Sequence, residues 1–376
     1  MAAQVNALAL TRKLLSFNTI NPPGQERQCA QYLGKLLEDG GFKVAYYDFA
    51  ESRTSLIARL EGRGDQPPIC FSGHLDTVPL GAESWSKDPF SGEVDGNRVY
   101  GRGASDMKSG IAAMVSTALR LPKILQEKAG VTFIFTAGEE TGSQGATYLA
   151  GLSQVLGPCG ALVVGEPTSN YPLVGHKGCL WLEIETTGIT AHGSMPEQGD
   201  NAIYKAVEAV NKLQEFDFNV APHPFLGKPT LNVGTIAGGL NINSVPDRTV
   251  VGVDIRTIPS LPHDEVCEKM KSYLGEDVKI KSLVDMGSVT TDPENEWIQA
   301  LFDIMESFLG NRPEPRGVAY FTDASILTPA FDLPPTVIMG PGEPGMAHKT
   351  DEFCRVSKIE EAAEAYFEIA KSWCHG

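Results

Sequence analysis

Before Lys177, short apolar runs alternate with longer segments in which apolar residues recur at helical spacing. The short runs predict buried strands, and the longer segments predict helices that pack on one face. The predicted strands cover residues 55–60, 68–73, 131–136 and 160–165, and the predicted helices cover residues 5–17, 26–39 and 109–121. Strands that alternate with helices build a largely parallel sheet. This part of the sequence therefore predicts an α/β domain.

After Lys177 the pattern changes, because polar and apolar residues alternate as they do in strands with one solvated face. The predicted order is strand 179–187, helix 201–216, strands 230–236 and 249–255, helix 263–274 and strand 278–283. That order, β-α-β-β-α-β, is the ferredoxin-like unit. The sequence thus predicts a mostly parallel-sheet α/β domain of residues 1–178 and 290–376, with an inserted α+β (ferredoxin-like) domain of residues 179–289.

The last part of the chain returns to the first domain. A helix is predicted over residues 296–309 and an apolar strand over residues 336–339. Ser357 and Glu360 have the spacing of a capping box, in which both side chains bind free N–H groups at a helix start. The sequence predicts that the last helix begins with this box.

The charge of the chain argues for a small-molecule ligand. A formal net charge of -16 and a pI near 4.9 offer no attraction to nucleic acid or to anionic membrane surfaces. No apolar run approaches the roughly 18 residues of a membrane span, and the N-terminal segment lacks the features of a signal peptide. Seven cysteines without a CxxC pair indicate reduced thiols, so we expect a cytoplasmic protein.

Histidine and carboxylate residues follow the ends of several predicted strands. His74 and Asp76 come after one strand, Glu139 and Glu140 after another, and Glu166 after a third. Ligands of parallel sheets bind outside the carboxyl ends of the strands, so we expect these side chains to converge. For the adjacent glutamates alone, a solvated acidic turn is the alternative interpretation. At a strand end, one of the two glutamates can bind a metal while the other transfers protons.

Two further residues complete a candidate metal centre. A glycine-rich loop carries His348, and a turn flanked by glycines carries Asp106. Nitrogen and carboxylate oxygen suit zinc-like ions, and a pair of such ions needs a bridging carboxylate, for which Asp106 is the natural candidate. The ions would polarise an amide carbonyl and lower the pKa of a water molecule, whose proton a carboxylate must still transfer. A dinucleotide loop is disfavoured because Asp106 occupies its third glycine position.

Seven motifs then occur in an order that is typical of one enzyme family. They are GHLDTVP, GRGASDMKSG, TAGEETGS, GEPT, TAHGSMPEQGDNAI, NSVPD followed by DIR, and AHKTDE. Over nearly its whole length the chain resembles the zinc-dependent amidohydrolase and exopeptidase family. That family includes acetylornithine deacetylase, succinyl-diaminopimelate desuccinylase, aminoacylase and glutamate carboxypeptidase.

The resemblance implies a site with two zinc ions, although cobalt or manganese can also occupy such ligands. The implied ligands are His74, Asp106 and Glu166 for one ion, and Asp106, Glu140 and His348 for the other. The family also places a cis peptide bond after the bridging aspartate, here at Asp106-Met107.

Two roles in catalysis follow from the same resemblance. Glu139 would be the general base and acid, and Asp76 would orient His74.

The predicted reaction is hydrolysis of the amide bond of a small N-acyl amino acid or peptide by a metal-activated water. The sequence favours the acetylornithine deacetylase and desuccinylase branch. A glutamate carboxypeptidase or dipeptidase and a metal-binding sensor without turnover are the alternatives, and Glu139 argues against the sensor, which needs no free base.

The inserted domain resembles a lid and dimerisation domain. His192 resembles a lid histidine that reaches the active site of a partner subunit and stabilises the oxyanion, which would require a homodimer. Arg256 and Asn243 match positions that hold the carboxylate and backbone-like groups of the substrate. Taken alone, a histidine or arginine in such a loop is usually only solvated. Lys177 and Asp323 are candidates for shaping the pocket, with a structural role as the alternative.

Overall fold

The computed structural model describes residues 6–123 and 129–375, which form two compact units. Unit 1 comprises Met1–Gly175, Thr290–Arg316 and Thr322–Gly376. Unit 2 comprises His176–Val289 and Gly317–Phe321. The proposed functions of the inserted domain as a lid and as a dimerisation surface stay predictions.

The secondary structure follows the order expected from the sequence, with some additions. The strands are Lys43–Ala50 (β1), Arg53–Leu60 (β2), Ile69–His74 (β3), Val94–Asp95 (β4), Arg98–Tyr100 (β5), Val131–Thr136 (β6), Ala161–Val164 (β7), Gly175–His176 (β8), Gly178–Thr187 (β9), Thr230–Gly238 (β10), Arg248–Thr257 (β11), Val278–Met286 (β12), Val289–Thr290 (β13), Thr336–Ile338 (β14) and Phe353–Arg355 (β15). The helices are Ala7–Leu15 (α1), Arg27–Asp39 (α2), Lys108–Ala118 (α3), Gln144–Gly151 (α4), Ala202–Gln214 (α5), His263–Leu274 (α6), Glu296–Leu309 (α7), Ala324–Ala330 (α8) and Val356–His375 (α9). The predicted first helix starts at residue 5, which lies outside the described residues. None of the described helices combines the length and apolar character that a membrane span requires.

The central sheet of unit 1 has the strand order β1-β2-β6-β3-β7-β14. β3 pairs in parallel with β6 and β7, and β14 pairs in parallel with β7, whereas β1 and β2 add an antiparallel edge. Every residue of β3 and β6 is buried, as expected for apolar strands covered on both faces of a sheet. The predicted mostly parallel sheet is confirmed, and the carboxyl ends of β3, β6 and β7 lie at one edge.

Helix α3 forms the centre of the core beside this sheet. All of its residues are buried, and it packs against α1, α9 and β3. A Cβ atom at Gly110 would lie 2.5 Å from the carbonyl oxygen of Gly165. Only glycine therefore lets α3 approach the residue that precedes Glu166, so packing of the core helix also sets the position of a candidate site residue.

Unit 2 contains an antiparallel sheet with the order β10-β11-β9-β12. Buried and half-buried residues alternate along β11, which gives the sheet one core face. Leu180 and Leu182 of β9 share that core with Val266 and Met270 of α6. The chain order and sheet order confirm the ferredoxin-like prediction.

The predicted capping box of the last helix is wrong. Helix α9 already includes Val356, so Ser357 lies inside the helix rather than before it. The backbone N–H of Ser357 donates to Asn97 Oδ1 at 2.9 Å, and Asn97 Nδ2 donates to Ser357 Oγ at 2.9 Å. A distant asparagine between β4 and β5 therefore caps the helix, which the local spacing of Ser357 and Glu360 could not indicate.

Candidate active site

His74 is the last residue of β3, and its ring is almost completely buried. Its Nδ1 lies 3.0 Å from the backbone carbonyl oxygen of Asp76 and 3.6 Å from Asp76 Oδ1. Because a carbonyl oxygen only accepts hydrogen bonds, Nδ1 carries a proton and Nε2 is the nitrogen that can bind a cation. Nε2 lies 3.0 Å from Asp106 Oδ1.

The carboxylate of Asp76 accepts hydrogen bonds from the turn after β6. Its Oδ1 accepts hydrogen bonds from the backbone N–H groups of Gly138 at 2.9 Å and Glu139 at 3.1 Å, and its Oδ2 accepts one from Glu140 at 3.2 Å. Burial alone raises the pKa of Asp76, but the neighbouring His74 and hydrogen bonds from Asn21 and from the Glu139 N–H bring it below its usual value. The ionised Asp76 thus ties the end of β3 to the turn after β6.

Asp106 lies between the two histidines, in the loop from β5 to α3. Its Oδ1 is 3.0 Å from His74 Nε2, and its Oδ2 is 3.5 Å from His348 Nε2. The predicted cis peptide bond at Asp106-Met107 is present. Each oxygen of one carboxylate therefore faces a different imidazole, which is the arrangement that a bridging metal ligand needs.

Glu140 and Glu166 each place a carboxylate beside one of the histidines. Glu140 Oε2 lies 3.1 Å from His348 Nε2, and Glu166 Oε2 lies 3.9 Å from His74 Nε2. One potential ligand atom from each of His74, Asp106 and Glu140 lies within 4.8 Å of the others. Among the described residues, Glu140 Oε1 is buried without a hydrogen-bond partner. A buried, unpaired carboxylate oxygen is costly, so it points to a cation as its partner.

The electrostatics of the site favour a bound divalent cation. Burial raises the pKa values of Glu139 and Glu166 well above the usual carboxyl range, and the positive charge of His74 only partly offsets this. Hydrogen bonds to Asp106 and Glu140 raise the pKa of His348 to about 10. A metal ion can stabilise these carboxylates in the charged form. The nitrogen and oxygen donors also match the ligand preferences of zinc.

Glu139 lies in the turn after β6, close to the cluster. Gly138 before it has φ +78°, a left-handed conformation that glycine adopts without strain. The side chain of Glu139 is buried, and among the described residues its carboxylate, unlike those of Asp106, Glu140 and Glu166, forms no ion pair with His74 or His348. A carboxylate that lies beside candidate metal ligands without pairing with either histidine is suited to proton transfer. Asp323 accepts a hydrogen bond from Thr136 Oγ1 at 2.5 Å and so supports the strand that leads to Glu139.

In unit 2, His192 and Asn243 lie on two loops that contact each other. The backbone N–H of Gly193 donates to the carbonyl oxygen of Asn243 at 2.8 Å, and His192 forms an isolated bridge with Ser244. His192 Nδ1 lies 2.8 Å from Ser194 Oγ. Both His192 and Asn243 are exposed, so they are accessible to a ligand.

Arg256 lies at the opposite end of β11 from these loops. Its Nε donates to Asp254 Oδ1 at 2.9 Å, and burial together with the nearby charge of Arg256 lowers the pKa of Lys177. The other end of the strand, at Arg248, lies beside the end of β9 that leads to the His192 loop. From Arg248 to Arg256 the strand spans roughly 27 Å at about 3.4 Å per residue. Within one copy of unit 2, the structure therefore does not bring Arg256 and His192 together.

A sequence profile described as peptidase family M20/M25/M40 matches residues 70–372, which is most of the chain. The chain belongs to this family. Because its relatives in the M20/M25/M40 family carry the names of deacylating hydrolases, the chain is a metal-dependent amidohydrolase.

Two relatives align with nearly the whole chain. A probable succinyl-diaminopimelate desuccinylase from Staphylococcus epidermidis is 30% identical over 93% of this chain and 93% of its own length. An acetylornithine deacetylase from Photorhabdus laumondii is 31% identical over 91% of this chain and 89% of its own length. An M20 family metallo-carboxypeptidase from Sulfolobus solfataricus shares the fold, with a TM-score of 0.83, 18% identity and coverage of 98% of this chain and 99% of its own.

Glu352 lies beside the candidate site, and the sequence motifs gave it no predicted role. Its completely buried carboxylate accepts hydrogen bonds from the backbone N–H groups of Gly103 at 3.0 Å, Ser105 at 2.7 Å and Asp106 at 3.0 Å. Arg102 Nη1 donates to it at 2.6 Å. Glu352 therefore holds the loop that presents Asp106. Its position four residues after His348, within the AHKTDE motif, was the one available signal.

Asn21 was also missed. Its Nδ2 donates to Asp76 Oδ2 at 2.8 Å and lies 2.8 Å from Thr141 Oγ1. The asparagine thus completes the set of donors that surround the buried Asp76 carboxylate. In the sequence it appears only as part of the turn Asn21-Pro22-Pro23-Gly24, which carries no sign of this contact.

Proposed function

We propose that this chain hydrolyses the amide bond of a small N-acyl amino acid and releases a carboxylic acid and a free amino acid. The desuccinylase and deacetylase names of its relatives support this reaction. The observation that carries the proposal is the position of Asp106, whose two oxygens face His74 and His348. Two donor sets that share one carboxylate would suit a pair of divalent ions.

The donor sets name the residues that would hold the metal ions. His74, Asp106 and Glu166 would hold one zinc ion, and Asp106, Glu140 and His348 would hold the other. When bound, two zinc ions polarise the amide carbonyl and lower the pKa of a water molecule. Cobalt or manganese can replace zinc at nitrogen and oxygen ligands of this kind.

Glu139 transfers the proton in the proposed reaction. The water oxygen forms a bond to the carbonyl carbon while Glu139 takes the proton from the water. The carbon–nitrogen bond then breaks, and the amine leaves with the proton that Glu139 held. Burial raises the pKa of Glu139, which helps it to hold a proton between these two steps. The hydrogen bond from the Glu139 N–H to Asp76 holds the backbone that carries the Glu139 side chain.

Unit 2 supplies the proposed substrate-binding residues. Arg256 binds the substrate carboxylate through the planar fork of its guanidinium group. Asn243 binds the backbone-like polar groups, and His192 donates a hydrogen bond to the oxyanion. Unit 2 in this way acts as a lid domain.

Two observations support a homodimer. Roughly 27 Å of strand separates Arg256 from the end of β11 beside the His192 loop, which is more than a small substrate spans. His192 and Arg256 therefore contact one substrate only if they come from different chains. Leu240 and Ile242, which adjoin Asn243, are almost completely exposed, and exposed apolar patches often mark interfaces.

The cysteines support a reducing compartment. All seven lie among the described residues and are thiols rather than disulfides. Reduced thiols are typical of cytoplasmic proteins. We therefore propose a cytoplasmic location.

Amine release from a substrate panel tests the reaction. The panel contains N-acetylornithine, N-succinyl-diaminopimelate, N-acetylmethionine and a peptide with a C-terminal glutamate, each with and without a chelator. We expect one N-acyl amino acid to be cleaved fastest, with activity lost on chelation and restored by zinc. Cleavage of the peptide alone would instead assign the chain to the carboxypeptidase branch.

Glu139→Gln tests the assignment of the proton-transfer residue. We expect kcat to fall by about 10² to 10⁴ while both metal ions stay bound, because only proton transfer is removed. Glu83→Gln, at an exposed loop position, is the matched control. Unchanged turnover in Glu139→Gln would refute the assignment, and absence of turnover in the unsubstituted protein with metal retained would favour a sensor.

A further inference from the structure

A chain of hydrogen bonds joins three side chains of unit 2 at the end of β11. Thr257 Oγ1 lies 2.7 Å from His263 Nε2, and His263 Nδ1 lies 2.5 Å from Asp285 Oδ1. Thr257 ends β11, His263 begins α6 and Asp285 belongs to β12. Because a carboxylate only accepts, His263 Nδ1 donates to Asp285. In the neutral imidazole, Nε2 then accepts a hydrogen bond from the Thr257 hydroxyl.

We call the hydrogen-bonded side chains Thr257, His263 and Asp285 the relay. Its two ends differ in burial. Thr257 is 1% exposed, whereas the side chain of Asp285 is 63% exposed. An exposed carboxylate adds little to stability, but a buried hydroxyl needs its partner. A Cβ atom at Gly178 would lie 2.3 Å from Thr257 Oγ1, so glycine keeps space for the hydroxyl. We therefore expect the relay to act mainly on the orientation of Thr257.

Thr257 is the neighbour of Arg256, on the opposite face of the strand. Successive side chains of a strand alternate between faces, so Thr257 lies on the core face and Arg256 on the other. Because β11 ends at Thr257, only one strand residue follows Arg256. The hydrogen bonds from Thr257 through His263 to Asp285 connect this strand end to α6 and β12. They therefore restrict movement of the backbone that carries the Arg256 guanidinium.

We propose that Thr257, His263 and Asp285 are positioning residues for Arg256. The inference rests on the proposed function, in which Arg256 binds the substrate carboxylate. With the relay intact, the guanidinium is held for two parallel hydrogen bonds to that carboxylate. Without it, the strand end shifts and this contact weakens, while the chemistry at the scissile amide is unaffected.

Thr257→Val tests the proposal, because valine keeps the shape of threonine and removes the hydroxyl. With the best N-acyl amino acid of the panel, we expect KM to rise about tenfold and kcat to change less than about twofold. With the corresponding α-carboxamide, which lacks the charged carboxylate, we expect no change in KM. Thr257→Ser retains the hydroxyl and should restore KM for the acid.

A second variant guards against a folding defect in Thr257→Val. Asp285→Ala alters only the exposed end of the relay and should raise KM for the acid selectively. Asp264→Ala is its matched control, because Asp264 lines the same cavity of about 550 Å³ but makes its hydrogen bond to the Glu265 N–H. An equal rise in KM for the acid and the amide would overturn the proposal. The double variant of Thr257→Val and Arg256→Met gives a further test. If the two changes in KM for the acid simply add, the proposal is overturned, because the relay acts through Arg256.

Arg256→Met separates failure of this inference from failure of the proposed function. If that variant has the same KM for the acid and the amide, Arg256 does not bind the carboxylate and the proposed function is wrong on that point. If Arg256→Met loses the preference for the acid but Thr257→Val keeps it, only the positioning proposal fails.

Discussion

At the scale of single residues, acids of one type behave differently in this site because their neighbours differ. Burial raises the pKa of Asp106, but hydrogen bonds from His348 and His74 bring it below its usual value. Within the described part of the chain, no such pair of side chains donates hydrogen bonds to Glu139, and burial keeps its pKa high. Asp106 is thus suited to remain an anionic ligand, and Glu139 is suited to carry a proton. The sequence indicated both residues, but not the contacts that distinguish them.

Glu352→Gln should weaken metal binding although Glu352 is not a proposed ligand. The glutamine amide offers one acceptor oxygen where the carboxylate offers two, so N–H groups of the Asp106 loop lose their partners. We expect metal affinity to fall about 10- to 100-fold, as is usual when residues that orient ligands are changed. Competition with a chromophoric chelator measures this affinity. Glu360→Gln, at an exposed position of α9, is the control, and equal affinity in the two variants would contradict the role of Glu352.

At the scale of elements, the strands that carry the site could be predicted and the edge of the sheet could not. β3 and β6 are completely buried, so both consist of clear apolar runs. β1 contains no completely buried residue, and its weak pattern gave no prediction for residues 43–50. α8 contains Pro329, and a proline inside a segment argues against a helix when only the sequence is read.

His176, in the two-residue strand β8, should make stability depend on pH. Burial lowers the pKa of His176 to about 4, whereas a histidine in an unfolded chain titrates near 6.5. Because the pKa of His176 is lower in the folded protein than in the unfolded chain, protonation of His176 favours unfolding. The contribution of the neutral, buried His176 to stability is complete above pH 6.5 and is lost as the pH falls towards 4. The difference corresponds to about 3 kcal/mol in the free energy of unfolding.

Urea unfolding of the metal-free protein between pH 7 and 4 measures this contribution. His176→Asn keeps a side-chain donor for the Lys177 carbonyl oxygen but cannot titrate. We expect the free energy of unfolding of this variant to fall less steeply with pH than that of the unsubstituted protein. His375→Asn, at an exposed position, is the control. Parallel pH profiles for the unsubstituted protein and His176→Asn would show that the buried histidine is not responsible.

At the scale of the whole molecule, the proposed homodimer connects the exposed apolar residues with catalysis. Leu240→Asp combined with Ile242→Asp should yield a monomer, because charged residues in the apolar patch oppose association. The monomer would lack the His192 of a partner, so we expect kcat to fall about 10²- to 10³-fold. Sedimentation velocity and turnover together measure both effects. Leu333→Asp, at an exposed apolar position of unit 1, should change neither property.

Mixing two inactive variants provides an independent check of the same prediction. After subunit exchange between His192→Ala and Glu139→Gln, half of the dimers contain one chain of each kind. Each of these has one site with both an intact Glu139 and an intact His192 from the other chain. Roughly a quarter of the original activity should return. No recovery after demonstrated exchange would place His192 and Glu139 of each site on the same chain.

Reading the residues alone was enough to predict the fold class, the inserted ferredoxin-like unit and the candidate residues at the strand ends. These features depend on apolar periodicity and on short motifs, which are local along the chain. The folded chain was needed to show which oxygen of Asp106 faces each histidine, and that Glu352 binds the Asp106 N–H across 246 positions. The same is true of the relay from Thr257 to Asp285. Such contacts join residues far apart in the chain, and their geometry arises only when the strands and loops pack together.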